Sequence, residues 1–282
     1  MVKNVAILSI QSSVIFGYVG NSIAAPVLQT LGHDVWRIDT VNFSNHPGYG
    51  KFTGAVKELE QLDNEIKGIC DLGILPNCEV ILSGYLGEID TAASVLKTVN
   101  LVKKQNKAAL YVLDPVIGDD DQIYVNEGLV EVFKNKLLPK ADVIIPNRSE
   151  LGWLSDIKIR DLSTLKIAAM NIIKRGPKNV IVTGVLDAEN ILNYAFSNDG
   201  IWMTSVSRIK QKFSGTGDLF SSLFTSAFLE TNNLSNALAF ATEGCETVLR
   251  ATCERNSKEL SLISTLSNLS TIKTNGSAKL IL

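Results

Sequence analysis

Gly215-Thr216-Gly217-Asp218 stands directly before a helical pattern, inside the longer stretch SRIKQKFSGTGDLFSSLF. Glycines let the chain turn tightly and bring backbone N–H groups close to a ligand. A helix start turns unpaired N–H groups and the positive end of its dipole outward. Together these make a cup suited to phosphate. A carboxylate beside a bound anion is repelled by it, so Asp218 gains nothing by binding. It makes sense as a base that takes a proton from a hydroxyl attacking that phosphate. The same residues also suit an ordinary helix start with an acid in its first turn. The rest of the chain has to separate the two readings.

Other phosphate signatures are missing. The chain has no G-x-x-x-x-G-K-[ST] loop, and Gly215-x-Gly217 lacks the third glycine and the early position of a dinucleotide fingerprint. The protein-kinase motif set is absent too. Further carboxylates fall near predicted strand ends: Asp114, then Asp119, Asp120 and Asp121, then Glu150 three residues after Asn147. Hard oxygen ligands of this kind suit Mg²⁺ held together with substrate phosphates. Asp119 to Asp121 as a set read better as a solvated acidic loop, whereas Asp114 alone does not. Residues 43–50 combine aromatics, glycines and His46, and with Tyr85 could cover a flat heteroaromatic ligand. A packed loop in which His46 satisfies backbone groups is the plainer alternative.

These residues need a frame. Apolar, β-branched runs at 5–10, 35–40, 79–83, 109–113, 143–145 and 179–183 read as strands. Helical patterns fall near 20–31, 57–72, 88–106, 128–137 and 161–175. The alternation predicts a three-layer αβα fold with a mostly parallel central sheet. A hairpin follows, with strands at 192–196 and 201–205 around Ser-Asn-Asp-Gly at 197–200. Two long helices at 216–230 and 234–255 come next, then a tail from about 257 with a helical pattern and a polar end. No repeat, linker or composition break divides the chain, so 1–282 reads as one domain. In such sheets ligands bind at the carboxyl ends of the strands. Gln11-Ser12-Ser13, Gly17 to Asn21, Gly84 to Gly87, Asp114 to Asp119, Pro146 to Glu150 and Gly184 all follow predicted strands and share that rim.

The bulk numbers exclude several classes. Of 282 residues, 45% are hydrophobic and 20% charged, and 27 basic against 29 acidic groups leave a net charge of −2. That gives no footprint for nucleic acid or an anionic membrane. The N-terminal apolar run is too short for a membrane span and lacks a cleavage pattern, so a cytoplasmic protein is expected. Cys70, Cys78, Cys245 and Cys253 lack metal or redox spacing and read as reduced thiols. Two histidines, His33 and His46, are too few for a His-rich metal site.

SIQSSVIFGYVGN, NFSNHPGYG, LSGYLG, LDPVIGD, IIPNRSE and SGTGDLFSS occur in this order. From about residue 4 to about 250 the chain resembles the pyridoxal kinase family of the ribokinase-like superfamily, and SIQS, FSNH and SGYLG are the segments most specific to vitamin B6 kinases. The resemblance implies ATP-dependent phosphorylation of the 5′-hydroxyl of pyridoxal, with pyridoxine and pyridoxamine as further substrates. Ser12 and Val19 would line the pyridoxal pocket, with His46 on its covering loop and Tyr85 near the ring. Asp114 and Glu150 would organise Mg²⁺ and phosphate, directly or through water. Asp119 and Tyr124 would lie in a loop that shifts over ATP and substrate. Asn147 and Thr183 would contact nucleotide phosphates. Gly215, Thr216 and Gly217 would form the anion hole, and Asp218 would be the base. A homodimer and a monovalent cation belong to the same implication.

Two residues depart from the family pattern. Pro47 follows His46 where a threonine is usual, and Ile145 replaces a threonine found near the monovalent cation site of animal members. A sister kinase acting on hydroxymethylpyrimidine or a sugar is the nearest alternative. Some pyrimidine kinases carry a cysteine before the glycine motif, and 208–214 has none. A non-catalytic B6-binding protein is the other alternative, and the intact Asp218 argues against it.

Overall fold

A computed structural model describes residues 5–119, 122–272 and 278–281. Asp120 and Asp121, singled out in the sequence, lie outside the described residues.

The first strand, β1 (Ala6–Phe16), leads through α1 (Asn21–Thr30) to β2 (Asp34–Asn45), and β3 (Gly54–Val56) folds back as an edge. Next come α2 (Leu59–Asp71), β4 (Cys78–Ser83), α3 (Ile89–Gln105) and β5 (Leu110–Leu113). A small hairpin, β6 (Gly118–Asp119) and β7 (Gln122–Ile123), precedes α4 (Glu127–Val132). Then β8 (Val143–Ile144), α5 (Arg148–Ser155) and α6 (Leu162–Ile173) lead to three antiparallel strands, β9 (Asn179–Asp187), β10 (Asn190–Ser197) and β11 (Gly200–Ser207). The chain closes with α7 (Thr216–Thr231), α8 (Leu234–Glu254), α9 (Leu262–Leu269) and β12 (Lys279–Leu280).

The main sheet has ten strands in the order β12-β11-β10-β9-β8-β5-β4-β1-β2-β3. Its centre, from β2 through β1, β4, β5 and β8 to β9, is parallel. Alternate strand residues feed two cores. Ile7, Val80, Leu82, Val112 and Ile181 pack under α1, α7, α8 and α9. Leu8, Ile10, Ile81, Leu113 and Val180 pack under α2 to α6. This is the predicted three-layer arrangement. The chain steps from β1 outward to β2 and then returns to β4 on the other side of β1. The strand order therefore reverses beside β1, the place where ligands bind at the carboxyl ends of such sheets.

Several expected boundaries move. Gln11, Ser12 and Ser13 lie within β1, which stays paired with β2 through a bulge between Gln11 and Ser13 as far as Phe16–Asn45. Their polarity is met locally: Gln11 Nε2 donates to Ser9 Oγ at 3.0 Å, and Ser13 Oγ lies 3.5 Å from Ser22 Oγ. Residues 42–45, expected in a loop, belong to β2 for the same reason. The helix expected over 128–137 ends as α4 at Val132 and continues as a wider π turn, Phe133–Leu137.

Candidate active site

Helix α7 starts on Gly215, whose φ of +84° lies in the left-handed region. A Cβ there would sit 2.0 Å from the Tyr18 carbonyl oxygen, so glycine is required for both conformation and space. At Gly217 a Cβ would meet nothing within 4 Å. The space above the first turn is therefore open, and the N–H groups of that turn have no intrahelical acceptor.

Three acids follow one another from this opening inward: Asp218 lies near Asp114, and Asp114 near Glu150. Asp218, third in α7 and half-buried, accepts a hydrogen bond from the Gly20 N–H, yet burial pushes its carboxyl up to about 6. Asp114, buried at the end of β5, accepts from Ser221 Oγ at 2.6 Å. Burial and the nearby Asp218 charge raise it to about 7 despite that bond. Ser221 was not anticipated, although it stands one helical turn after Asp218 and so shares its face. Glu150 is buried as well. Its Oε1 accepts from the Ile117 and Gly118 N–H groups at 2.9 and 3.4 Å, and its Oε2 from the Asn147 N–H at 2.8 Å. Asn147 Oδ1 accepts in return from the Glu150 N–H at 2.9 Å, completing a capping box at the start of α5. Burial and Asp114 still push Glu150 well above the carboxylate range. Among the described residues no cationic side chain offsets the burial of any of the three.

Raised carboxyl values carry a stability consequence. In the ligand-free fold these acids hold protons that the unfolded chain releases near its ordinary range. Stability therefore falls as pH rises from about 4 through about 7. Asp114→Asn is expected to raise the thermal midpoint in EDTA at about pH 8, by about 2–4 °C per kcal/mol in a chain of this size. Calorimetry should show the gain shrinking at about pH 5.

The β6–β7 hairpin sits beside these acids. Asn147 Nδ2 donates to the Gly118 carbonyl at 2.7 Å, and an isolated parallel bridge joins Asn147 to Thr183. Asp119 is exposed in this hairpin. The exposed Tyr124 follows it, its hydroxyl raised by burial, then by Asp119 and Glu150. The structure thus gathers Asp119, Tyr124, Asn147, Glu150 and Thr183 at one end of the rim.

At the other end, Ser12 is buried beneath Gly20, where a Cβ would fall 2.4 Å from Ser12 Oγ. Val19 and Tyr85 pack with Val14, Val41, Phe43 and Val56 in a small cluster apart from the main cores. His46 caps a short 3₁₀ turn, Pro47–Tyr49, with Pro47 in its first position. Proline's fixed φ suits that position and its missing N–H costs nothing there. Both His46 nitrogens face protein groups: Nδ1 is 3.5 Å from Ser214 Oγ, and Nε2 is 3.5 Å from Glu259 Oε1. The loop of His46 therefore touches the segment that carries Gly215.

Comparison with known proteins shows the family. The family profile described as Phosphomethylpyrimidine kinase matches residues 75–262. Pyridoxal kinase PdxY of Granulibacter bethesdensis is 37% identical over 90% of this chain and 92% of its own. The Actinobacillus succinogenes protein of the same name is 38% identical over 93% of each chain. The chain belongs to the pyridoxal kinase family. The solved pyridoxal kinase of Leishmania donovani, in complex with ADP and pyridoxamine, superimposes with a TM-score of 0.91 at 29% identity, covering 98% of both chains. Against the pyridoxal kinase pattern, Ile145 is an apolar core residue packed under α7, with no side-chain oxygen to offer a cation.

Proposed function

We propose that this chain transfers the γ-phosphoryl group of ATP to the 5′-hydroxyl of pyridoxal, giving pyridoxal 5′-phosphate and ADP, with pyridoxine and pyridoxamine as further acceptors. The observation that carries the reading is Asp218. It is an acid with a raised pKa at the open start of a helix, where its charge would repel a phosphate unless it serves the attacking hydroxyl.

The chemistry needs few parts, because phosphoryl transfer is mostly positioning and charge stabilisation. The hydroxyl oxygen forms a bond to the γ-phosphorus as the bond to the β–γ bridging oxygen breaks. The hydroxyl proton passes to the Asp218 carboxylate, and ADP leaves. N–H groups of Gly215, Thr216 and Gly217 meet the charge on the transferring group. Asn147, Thr183 and Asp119 serve the nucleotide phosphates, with Tyr124 over the acceptor. Ser12, Val19, His46 and Tyr85 form the acceptor pocket.

Buried Asp114 and half-buried Asp218 lie close enough to raise Asp114, with no basic partner among the described residues, a donor set that suits a hard cation. Mg²⁺ is commonly held by one or two carboxylates together with substrate phosphates. Asp114 would hold Mg²⁺, and Glu150, both of whose oxygens accept backbone N–H groups, would reach it through water. Bound there, Mg²⁺ would neutralise phosphate charge. A monovalent cation, if used, would rely on backbone oxygens near Ile145. No helix among the described residues is long and apolar enough to cross a membrane. We place the protein in the cytoplasm, as a homodimer of single-domain chains.

The match to the Phosphomethylpyrimidine kinase profile supports one second reading, a sister kinase for hydroxymethylpyrimidine. An ADP-release assay with ATP, Mg²⁺ and each of pyridoxal, pyridoxine, pyridoxamine and hydroxymethylpyrimidine separates the two. Preference for the B6 vitamers is expected. Turnover of the pyrimidine alone would move the protein to the sister activity, and vitamer binding without turnover would make it a binding protein.

A further inference from the structure

Glu259 lies in the connection between α8 and α9, outside every motif that suggested the activity. Its carboxylate nonetheless joins separate parts of the acceptor side. Oε1 accepts from the Tyr49 hydroxyl at 2.6 Å and lies 3.5 Å from His46 Nε2. Oε2 accepts from the Tyr18 N–H at 3.1 Å. Gly17, at φ +95°, passes so close that a Cβ would fall 2.6 Å from Oε2. The chain after β1 is therefore bent around this carboxylate. The glutamate side chain is only 14% exposed.

Each partner leads to the site. Tyr49 and His46 belong to the covering loop, their rings 4.8 Å apart. The turn between them starts on Pro47, one of the two residues at which the sequence departs from its family. On its far side His46 faces Ser214, next to Gly215. Tyr18 lies two residues before Gly20, whose N–H donates to Asp218. One carboxylate thus holds the covering loop against the loop that orients the base.

We propose that Glu259 is a positioning residue that latches the covering loop over the acceptor pocket and sets acceptor affinity, leaving the nucleotide end untouched. The proposal rests on the assignment of that pocket to the phosphoryl acceptor. A loop that closes over substrate must also open to release product. The latch is suited to this. Tyr49 and His46 can let go while the Tyr18 N–H keeps the carboxylate in place.

The test uses Tyr49→Phe, Glu259→Gln and the double variant, with Glu259→Asp as the conservative replacement. Loss of a hydrogen bond to a charged acceptor predicts a rise of about tenfold in KM for pyridoxal with Tyr49→Phe. KM for ATP should stay within about twofold, and kcat should change less than KM for pyridoxal. The double variant should be no worse than the more impaired single one, because both substitutions weaken the same Tyr49–Glu259 contact. Glu259→Asp should recover part of the affinity.

Amide hydrogen exchange over residues 43–50, without substrate, gives a readout independent of turnover. It should quicken in Tyr49→Phe while the thermal midpoint holds. Faster loop exchange in a chain that phosphorylates no vitamer would uphold the latch and refute the acceptor assignment. Unchanged exchange and KM in Tyr49→Phe would overturn the latch, as would equal rises in both KM values. Tyr49→Phe removes one exposed hydroxyl and keeps the fold, so the test stands even if Glu259→Gln is unstable.

Discussion

Asp218→Asn is expected to bind ATP about as tightly as the unaltered protein and to lose turnover by about 10²–10⁴, the usual worth of a general base. Asparagine keeps the shape and can still accept from the Gly20 N–H, so the helix start keeps its geometry. It cannot take a proton. Removing a negative charge beside the phosphates should, if anything, tighten nucleotide binding, because the carboxylate repels that ligand. A fall in kcat with an unchanged or lower Kd for ATP is therefore the signature of a base. A fall in both affinity and rate would instead mark Asp218 as a structural cap. Isothermal titration and initial rates on the same preparation tell these apart.

Gly215→Ala is expected to damage fold and activity together. A non-glycine residue in the left-handed region costs roughly 1–2 kcal/mol. Here the added Cβ would also meet the Tyr18 carbonyl at 2.0 Å, and a backbone oxygen cannot rotate aside. The displacement would reach Gly20 and Glu259, the groups that orient Asp218 and the covering loop. We expect a loss of more than about 2 kcal/mol in stability by these combined terms. A fall of about 10²–10³ in kcat/KM should accompany it, the scale seen when a preorganised anion donor is lost. Gly217→Ala is the contrast, since a Cβ there meets no protein atom. That variant should keep its thermal midpoint and lose rate only by crowding the phosphate. Equal melting losses in both variants would count against this account of the loop.

The sequence made the helices legible because their apolar spacing is long and regular. The pattern expected over 88–106 is α3, Ile89–Gln105, and that over 57–72 is α2, Leu59–Asp71. Edge strands β3 and β12 are three and two residues long, too short to show a period. The eight-residue α5 was passed over as an element, although Asn147 and Glu150 carry the spacing of its capping box. The polar ends of β1 and β2 read as loop because only tertiary pairing shows where their side chains are satisfied.

At the site, Asp218 was readable because adjacent glycines mark a helix start. The link from Asp114 to Ser221 spans 107 positions and has no local trace. Neither does Glu259, whose meaning comes from three loops that meet around it. The tail from about 257, with its helical pattern and polar end, supplies α9, β12 and that carboxylate.

The most direct measurement is the pH dependence of single-turnover phosphoryl transfer to pyridoxal, with ATP and Mg²⁺ saturating, for the unaltered protein and Asp218→Asn side by side. Burial raises the Asp218 carboxyl in the ligand-free fold, and the base is lost to protonation as pH falls through its value in the complex. The account predicts an acid limb in the unaltered protein, and a residual rate in the variant that is lower by at least about 10² and no longer follows that limb. A variant as fast as the unaltered protein, or one that keeps the same acid limb, would contradict the assignment of Asp218 as the base.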